Sequence, residues 1–203
     1  MIATLRETNK ADKLKRIREA AHRLFSTQGF DKTSTRDIAS EAGVGLATLF
    51  LYADDKRDLL FLAANDDLEH LTDRAFAGIR YSSKVSSQLI GFFRCFFEFY
   101  AKNRLFSRDL LRELTFFTTG RQSARFLVTR RSTINCIEHV LRRARERGAI
   151  KKEANDSHIA EVVFYVFAAD VRRWLGQDES STTAGVEHLR TLLEIILVGN
   201  ENG

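Results

Sequence analysis

The sequence predicts an all-α protein of about nine helices. Its 203 residues fit either a small N-terminal three-helix unit with a larger C-terminal helical bundle or a single compact body. Apolar residues recur at helical spacing along the chain, and no stretch shows the alternation of a β-strand. Proline is absent from the 203 residues, so helices can run unbroken. A hydrophobic content of 44% and a charged content of 29% are typical of a soluble globular protein.

The first helix is predicted over residues 11–28. Its apolar residues recur at helical spacing and are Leu14, Ile17, Ala21, Leu24 and Phe25. Gly29 follows directly, and glycine is suited to end a helix because it readily adopts the left-handed conformation of the C′ position.

Two short helices are predicted next, over 35–42 and 46–52, joined by a tight turn. Ala39 is small enough to let the second helix cross closely, and Gly43 stands where the turn needs positive φ. The apolar positions that would pack the pair together are Ile38, Ala39, Ala42, Val44, Leu49 and Tyr52. This spacing is that of a helix-turn-helix, with an ordinary αα-hairpin as the alternative.

The start of the first of these helices has two candidate N-caps. Thr35 is the predicted cap and Ser34 is the other candidate, since either hydroxyl can accept an orphan backbone N–H. Asp37 in the first turn suits the positive end of the helix dipole.

The motif and its flanks resemble the TetR family of bacterial transcriptional regulators. The resemblance covers about residues 12 to 62: a first helix ending in Leu-Phe, then Gly-Phe, the run Thr-Ser-Thr-Arg-Asp-Ile-Ala, and finally Gly-Val, Thr-Leu-Phe, Tyr and Lys in that order. It implies a helix-turn-helix DNA-binding domain at 1–56 and a helical domain for ligand binding and dimerisation at 57–203.

The resemblance also implies which side chains contact DNA. Those at phosphate-binding positions are Thr35, Thr48, Tyr52 and Lys56, and those at base-reading positions are Arg36, Leu46, Ala47 and Phe50.

The sequence departs from the family's usual pattern in the second helix of the motif. Residues 45–51 contain no asparagine, glutamine, lysine or arginine, the side chains that read bases by hydrogen bonding. We therefore expect Arg36 to supply the main base-specific hydrogen bond, to guanine, while the apolar residues contact thymine methyl groups and groove shape contributes the rest. Ala53 replaces an aromatic residue common in the family, and Asp54 places a negative charge near the phosphates.

Six further helices are predicted from the apolar periodicity. They cover about 54–79, 84–102, 104–118, 121–147, 155–175 and 184–198. Either Asp54 or Asp55 can N-cap the fourth helix, which would begin at the DNA and end in the body of the protein.

Nine of the 16 phenylalanines fall between Phe92 and Phe126. A plain hydrophobic core explains this density at least as well as a cavity does. The resemblance implies an effector pocket, and we expect a small apolar or aromatic ligand there. The candidate lining residues are Phe92, Phe93, Phe96, Phe97, Tyr100, Phe116, Phe117 and Phe126.

The last two helices carry apolar residues on more than one face, which indicates a second buried surface. Pairing them across a two-fold axis would form a four-helix bundle, as TetR-like proteins do, and two DNA-reading heads then imply a palindromic operator. The candidate interface residues are Phe164, Phe167, Val171, Trp174, Leu189, Leu193 and Ile196.

The net charge of +5 is unevenly placed along the chain. Residues 121–152 carry ten basic and two acidic side chains. A solvated helix face is the simplest interpretation of this basic block, and an anionic ligand group or pairing with the acidic C-terminal part are the others. Cys95 and Cys136 are expected to be reduced and structural, and the five histidines lack ligand spacing, so neither a metal nor a cofactor is expected.

These observations predict a cytoplasmic, ligand-responsive transcription regulator. It would repress by binding its operator as a homodimer and be released by the effector. We find no signal peptide and no apolar run long enough for a membrane span, which favours the cytoplasm. We also find no motif of a hydrolase, nucleotide-binding or zinc-protease site, so we do not expect an enzyme. The alternatives are a regulator-like adaptor that lacks sequence-specific DNA binding and an all-α enzyme with a hydrophobic cavity.

Overall fold

The computed structural model describes residues 5–81, 84–114, 119–150, 155–178 and 180–198. Over these residues the chain is all-α, as predicted, and forms nine helices. They are α1 (Leu5–Gln28), α2 (Thr35–Glu41), α3 (Leu46–Leu49), α4 (Lys56–Ala77), α5 (Val85–Lys102), α6 (Arg104–Glu113), α7 (Arg121–Glu146), α8 (Asp156–Leu175) and α9 (Thr182–Val198).

The described residues fall into two compact units. Unit 1 comprises Met1–Leu68 and Leu105–Val128, and unit 2 comprises Glu69–Arg104 and Thr129–Gly203. The helices α4 and α7 therefore contribute residues to both units. This is a division by packing, and the functional boundary expected between residues 56 and 57 stays a prediction.

Unit 1 is built on the buried face of α1, which packs against α2. Ile17, Ala21 and Phe25 have no solvent-exposed surface. Gly29 adopts φ +83° and its N–H donates to the Phe25 carbonyl at 3.2 Å, so the predicted helix end is confirmed. From the next residue, the Phe30 N–H donates to Asp109 Oδ2 of α6 at 2.7 Å, which holds α6 against the end of α1.

The N-cap of α2 is Ser34, the second of the two candidates, and the prediction of Thr35 is wrong. Ser34 has the extended backbone that an N-cap requires (φ −108°, ψ 157°), whereas Thr35 is already helical. The Asp37 N–H donates to Ser34 Oγ at 3.1 Å, and the Ser34 N–H donates to Asp37 Oδ2 at 2.9 Å. This reciprocal capping box fixes the start of α2.

Unit 2 has an aromatic core in which α5 and α8 pack against α9. Phe93 stacks on Phe167 with ring centroids 4.3 Å apart, and Phe97 meets Trp174 edge-on at 5.0 Å. Gly185 lets α9 approach these rings, because a Cβ at that position would lie 2.7 Å from the Phe97 ring. The close approach therefore depends on glycine.

Arg104, the first residue of α6, caps the C-terminal end of α8 within unit 2. Its Nη2 donates to the carbonyls of Trp174, Leu175 and Gln177 at 3.0, 3.2 and 2.7 Å. The guanidinium also lies 4.5 Å from the centroid of the Trp174 ring. A cation at this position satisfies helix-end carbonyls and complements the negative end of the helix dipole.

Within the described part of the chain, no helix is both long enough and apolar enough to cross a lipid bilayer.

Candidate DNA-binding surface and effector region

The turn between α2 and α3 has the geometry that the sequence predicts. Gly43 adopts φ +62°, a conformation that side-chain-bearing residues rarely take. Ala39 and Leu49 are buried behind the turn, and Arg16 of α1 donates to the Ala42 carbonyl at 2.9 Å. The helix-turn-helix is therefore supported on its inner side by α1.

The second helix of the motif is shorter than predicted. α3 has four α-helical residues with Phe50 as its C-cap, and residues 51 and 52 continue as tight turns. The Leu51 and Tyr52 N–H groups donate three residues back, at 3.1 and 2.9 Å, rather than four. This tightening follows the helix end, where 3₁₀-type bonds are common.

The structure leaves the four predicted base-reading side chains open to solvent. Arg36 and Ala47 are exposed, and Leu46 and Phe50 are 37% and 38% exposed. Leu51, which the sequence analysis did not assign to DNA, is 69% exposed on the same segment. The outer face of α3 and of the turn that follows it is thus largely apolar.

The four predicted phosphate contacts are all partly exposed in unit 1. The Tyr52 hydroxyl donates to the Lys10 carbonyl at 3.3 Å. Lys56 Nζ lies 3.5 Å from the Asp31 carbonyl oxygen and 4.3 Å from the Phe30 ring centroid. Thr35 and Thr48 lie at or near the starts of α2 and α3. Their role in binding phosphate stays a prediction.

Asp54 does not carry an isolated charge, because Arg121 of α7 neutralises it. Arg121 Nη2 and Nε lie 2.8 and 3.1 Å from Asp54 Oδ1, and the Arg121 backbone N–H donates to Oδ2 at 3.0 Å. The hydrogen bonds from Arg121 hold the pKa of the Asp54 carboxyl below its ordinary value. The negative charge that the sequence places near the phosphates is therefore paired within the protein.

A buried carboxylate that the sequence analysis missed joins α4 to α7. Asp58 has no exposed surface, and its Oδ1 accepts the backbone N–H groups of Gln122 and Ser123 at 2.8 and 3.1 Å. Its Oδ2 accepts the Asp54 N–H at 2.9 Å, while Asp55 Oδ1 accepts the Asp58 N–H at 2.8 Å. Asp55 is thus the residue that caps the start of α4.

Five of the predicted pocket residues form a closely packed part of the core, and their role in lining a ligand pocket stays a prediction. Phe92, Phe93, Phe96, Phe97 and Tyr100 are at most 5% exposed, and their rings pack on one another and on α8. Burial raises the pKa of Tyr100 to about 12. These five side chains lie together on α5, so they supply an apolar interior to unit 2.

The other predicted pocket residues do not join this cluster in the described structure. Phe126 belongs to unit 1, where its ring lies 5.9 Å from that of Phe61. Phe116 and Phe117 lie outside the described residues.

A surface cleft of about 350 Å³ lies in unit 2, and none of the predicted pocket residues line it. Its lining residues are Phe76, Asn135, Cys136, Glu138, His139 and Arg142. The Phe76 and His139 rings meet edge-on at 5.4 Å, and burial raises the pKa of the Cys136 thiol to about 11. The lining of the cleft thus combines polar and aromatic side chains.

Most of the predicted dimer residues are buried inside a single chain, and their part in an interface stays a prediction. Those with at most 4% exposure are Phe167, Val171, Trp174, Leu189 and Leu193. The other two candidates, Phe164 and Ile196, are partly exposed. The strongly exposed apolar side chains of α8 and α9 are instead Val162, Tyr165 and Ile195, at 47%, 50% and 70%.

The basic block is largely a set of ion pairs and hydrogen bonds, and part of it pairs with the acidic C-terminal region. Arg131 Nη1 lies 3.3 Å from Glu161, and Arg145 Nη2 lies 2.6 Å from the buried Asp156. Desolvation by burial raises the pKa of Asp156 despite the nearby Arg145. Two further members, Lys151 and Lys152, lie outside the described residues.

Among the side chains that the structure describes, no group of three or more histidine, cysteine, aspartate or glutamate residues could hold a metal ion.

The fold and its exposed motif define a class of protein: an all-α chain with an N-terminal helix-turn-helix and a C-terminal helical unit. Residues 17–63 match the family of bacterial regulatory proteins described as the tetR family. Over these residues the chain is therefore similar to the TetR family of bacterial regulatory proteins.

The curated relatives match this chain only at its N-terminal end. An HTH-type transcriptional regulator of Staphylococcus aureus strain bovine RF122 is 43% identical over 53 residues, which are 26% of this chain and 29% of that protein. A second such regulator, from strain USA300, is 41% identical over 54 residues, again 29% of its length. The matched stretch thus spans less than a third of these relatives.

Solved structures match over nearly the whole chain at low identity. FadR from Bacillus subtilis, in complex with stearoyl-CoA, gives a TM-score of 0.72 at 19% identity and covers 91% of this chain and 98% of that one. Thermus thermophilus FadR, a TetR-family repressor in complex with lauroyl-CoA, gives 0.72 at 22% identity and covers 92% and 94%. These similarities show a shared fold.

Proposed function

We propose that this protein is a ligand-responsive repressor that binds a palindromic operator as a homodimer and releases it when a small apolar effector binds. The observation that carries the proposal is the exposed helix-turn-helix. Arg36, Leu46 and Phe50 are open to solvent on a motif whose inner face is fully packed against the rest of unit 1. A packed scaffold with an open outer face suits insertion into a major groove.

The operator would be read by one cation and a set of apolar contacts. Arg36, at the start of α2, is the candidate for a bidentate hydrogen bond to guanine. Leu46, Ala47 and Phe50 would contact thymine methyl groups, while Thr35, Thr48, Tyr52 and Lys56 hold the phosphates. Contacts to phosphates fix the register of the protein on DNA, and contacts to bases supply the sequence specificity. Substitution of a phosphate contact should therefore weaken binding to all sequences, whereas substitution of a base contact should change the sequence preference.

The homodimer would bury the apolar side chains that a single chain leaves exposed on α8 and α9. Val162, Tyr165 and Ile195 are each about half exposed or more. A two-fold axis near these helices would place one DNA-reading head on each side, and two such heads require a palindromic site with half-sites about one helical turn apart.

The effector we propose carries an apolar chain, and acyl-CoA thioesters are the first class to examine. The aromatic side chains of α5 make the interior of unit 2 strongly apolar. Two proteins with this fold were solved with stearoyl-CoA and lauroyl-CoA, which supports that ligand class. Because the rings are packed, a bound chain would displace some of them, and α4 could pass the shift to the DNA-binding domain.

The decisive experiment is selection of bound fragments from genomic DNA by the purified protein, followed by gel shift and footprinting at several salt concentrations. We expect a palindromic site bound by two subunits, and release by acyl-CoA thioesters of a preferred chain length. Free coenzyme A is the control ligand. A protein that enriches no fragment above non-specific binding would overturn the proposal.

A regulator-like adaptor without sequence-specific DNA binding is the second candidate function, and the composition of α3 favours it. Residues 45–51 offer only one polar side chain, Thr48, to a groove. The same selection separates the two functions, because an adaptor would bind all fragments weakly, with an affinity set by salt alone.

A further inference from the structure

The segment that follows α3 carries a negative charge that is unfavourable next to DNA phosphates. Asp54 lies between two proposed phosphate contacts, Tyr52 and Lys56, and 46% of its side chain is exposed. A free carboxylate there would repel the phosphate backbone, and residues 45–51 carry no cation to compensate.

Arg121, the first residue of α7, pairs with Asp54 and neutralises its charge. Its guanidinium and its backbone N–H together place three hydrogen bonds on the two oxygens of Asp54, at 2.8 to 3.1 Å. Such charge-assisted, multidentate pairing fixes geometry as well as charge. The pair therefore holds the Asp54 side chain against α7.

The same end of α7 also holds two carbonyls of the turn that follows α3. Arg121 Nη1 donates to the Leu51 carbonyl, and Gln122 Nε2 donates to the Tyr52 carbonyl at 3.1 Å. Because Leu51 and Tyr52 directly follow the C-cap of α3, donors bound to their carbonyls hold the chain in place where the helix ends.

Asp58 fixes the position of the first turn of α7, which carries the Arg121 and Gln122 donors. Its buried Oδ1 takes the backbone N–H groups of Gln122 and Ser123. Gly120, at φ +113°, brings the chain so close that a Cβ would lie 2.6 Å from this oxygen. The first turn of α7 is thus anchored to the start of α4 before it reaches α3.

We propose that Arg121 and Gln122 form a clamp that sets the tilt of α3 and neutralises Asp54, so that operator affinity depends on these positioning residues although they contact no DNA. The proposal rests on the proposed function. It adds a route of regulation, because α7 begins in unit 1 and continues with residues of unit 2. A change in α7 would reach the DNA-reading surface through this clamp, in addition to any change in α4.

The test compares Arg121→Ala with Arg131→Ala in the full-length protein. Arg131 is the matched control because it also forms an exposed ion pair from α7, with Glu161 at 3.3 Å. We expect Arg121→Ala to weaken binding to the selected operator by about tenfold or more, and Arg131→Ala to stay within about threefold. Adding Asp54→Asn to Arg121→Ala should recover part of the loss, because the unpaired carboxylate is then removed.

Hydrogen exchange of the DNA-free protein supplies a readout that a merely stabilising residue would not give. Arg121→Ala should speed amide exchange selectively at residues 46–53 while the thermal midpoint changes no more than in the Arg131 variant. Equal operator affinity for Arg121→Ala and wild type, or an equal loss in both variants, would overturn the clamp alone. A wild-type protein that selects no operator would overturn the proposed function, and the clamp's role in DNA binding with it.

Discussion

A Cβ atom placed on Gly120 would lie 2.6 Å from Asp58 Oδ1, so the first turn of α7 and the first turn of α4 touch without room for a side chain. This contact brings together residues that are 62 positions apart along the chain. It places Arg121, the first residue of the basic block, beside Asp54, which follows the helix-turn-helix.

Gly120→Ala should destabilise the protein by about 2–5 kcal/mol, as the sum of left-handed backbone strain and disturbed Asp58 hydrogen bonds. Gly148 is the control, because it also has positive φ (+76°) but no atom within 4 Å of a built Cβ. Gly148→Ala should cost only about 1–2 kcal/mol. Urea unfolding followed by circular dichroism measures both, and equal losses would contradict the close contact.

Asp58→Asn should lower the free energy of unfolding by about 1.5–3 kcal/mol, because a carboxamide cannot accept from all the N–H groups that surround this site. Its NH₂ group would face the Asp54 N–H, which now donates to Oδ2 at 2.9 Å. Asp67→Asn, an exposed change on the same helix, should stay within about 0.5 kcal/mol. If the two variants unfold at the same denaturant concentration, the buried Asp58 carboxylate does not stabilise the fold through these hydrogen bonds.

Gly185→Ala should destabilise unit 2 by about 1–3 kcal/mol despite the better helix propensity of alanine. The added methyl would lie 2.7 Å from the Phe97 ring and 2.8 Å from the Trp174 ring. Gly91→Ala is the matched control on α5, since nothing lies within 4 Å of its built Cβ, and it should stabilise by about 0.5–1 kcal/mol. Thermal unfolding with tryptophan fluorescence should report opposite signs for the two variants.

Cys136 should react slowly with thiol reagents in the folded protein. Burial, with Asp73 as a smaller cause, raises its pKa from the ordinary 9.0 to about 11. At pH 8 the thiolate fraction is then roughly 100-fold lower than in the unfolded chain, and the rate should keep rising until about pH 11. Because the folded pKa is the higher one, the thiol's contribution to stability is present below pH 9 and is lost as the pH approaches 11.

The measurement uses a Cys95→Ser background, so that Cys136 is the remaining thiol, and follows the rate of disulfide exchange against pH with and without denaturant. A folded-state rate that levels off near pH 9 would contradict the raised pKa.

Arg36→Ala should weaken operator binding by about 1–3 kcal/mol and relax the preference at one base pair of each half-site. Lys56→Ala should weaken binding about uniformly across sequences and lower the dependence on salt by about one phosphate contact. Competition gel shifts with a set of single-base operator variants distinguish the two. If Arg36→Ala weakened every site equally, this side chain would be a phosphate contact.

The local features of the fold could be predicted from the sequence because short-range chemistry determines them. Gly29 and Gly43 stand where the backbone needs positive φ, and both take it. The helix-turn-helix follows from the spacing of small and apolar residues around Ala39. The choice of Ser34 over Thr35 as N-cap was open, since both hydroxyls can cap and only the backbone angles decide.

The features that were missed depend on residues far apart in the chain. Arg121 and Asp54 are 67 positions apart, and neither position shows its partner in the sequence. On α8 and α9, apolar residues occupy several faces, so periodicity could not tell which face α5 covers. The structure shows that Val171 and Leu193 are covered within the chain, whereas Val162 and Ile195 are not.

The partners of the phenylalanine rings were also missed, because they depend on residues far apart in the chain. Phe93 and Phe126 belong to the same phenylalanine-rich stretch of the sequence and were assigned to one cavity. In the structure they pack in different units, against Phe167 and Phe61 respectively. The high aromatic content predicted an apolar interior, and the partners of each ring could come only from the tertiary structure.

The leucine and phenylalanine side chains on the outer face of α3 also have a thermodynamic consequence. Docking them into a groove would remove apolar surface from water, which gives association a negative heat-capacity change and makes its enthalpy strongly dependent on temperature. Since few cations take part, few counterions would be liberated, and occupancy of the site would persist as ionic strength rises. Such a regulator would respond to warming more than to osmotic stress.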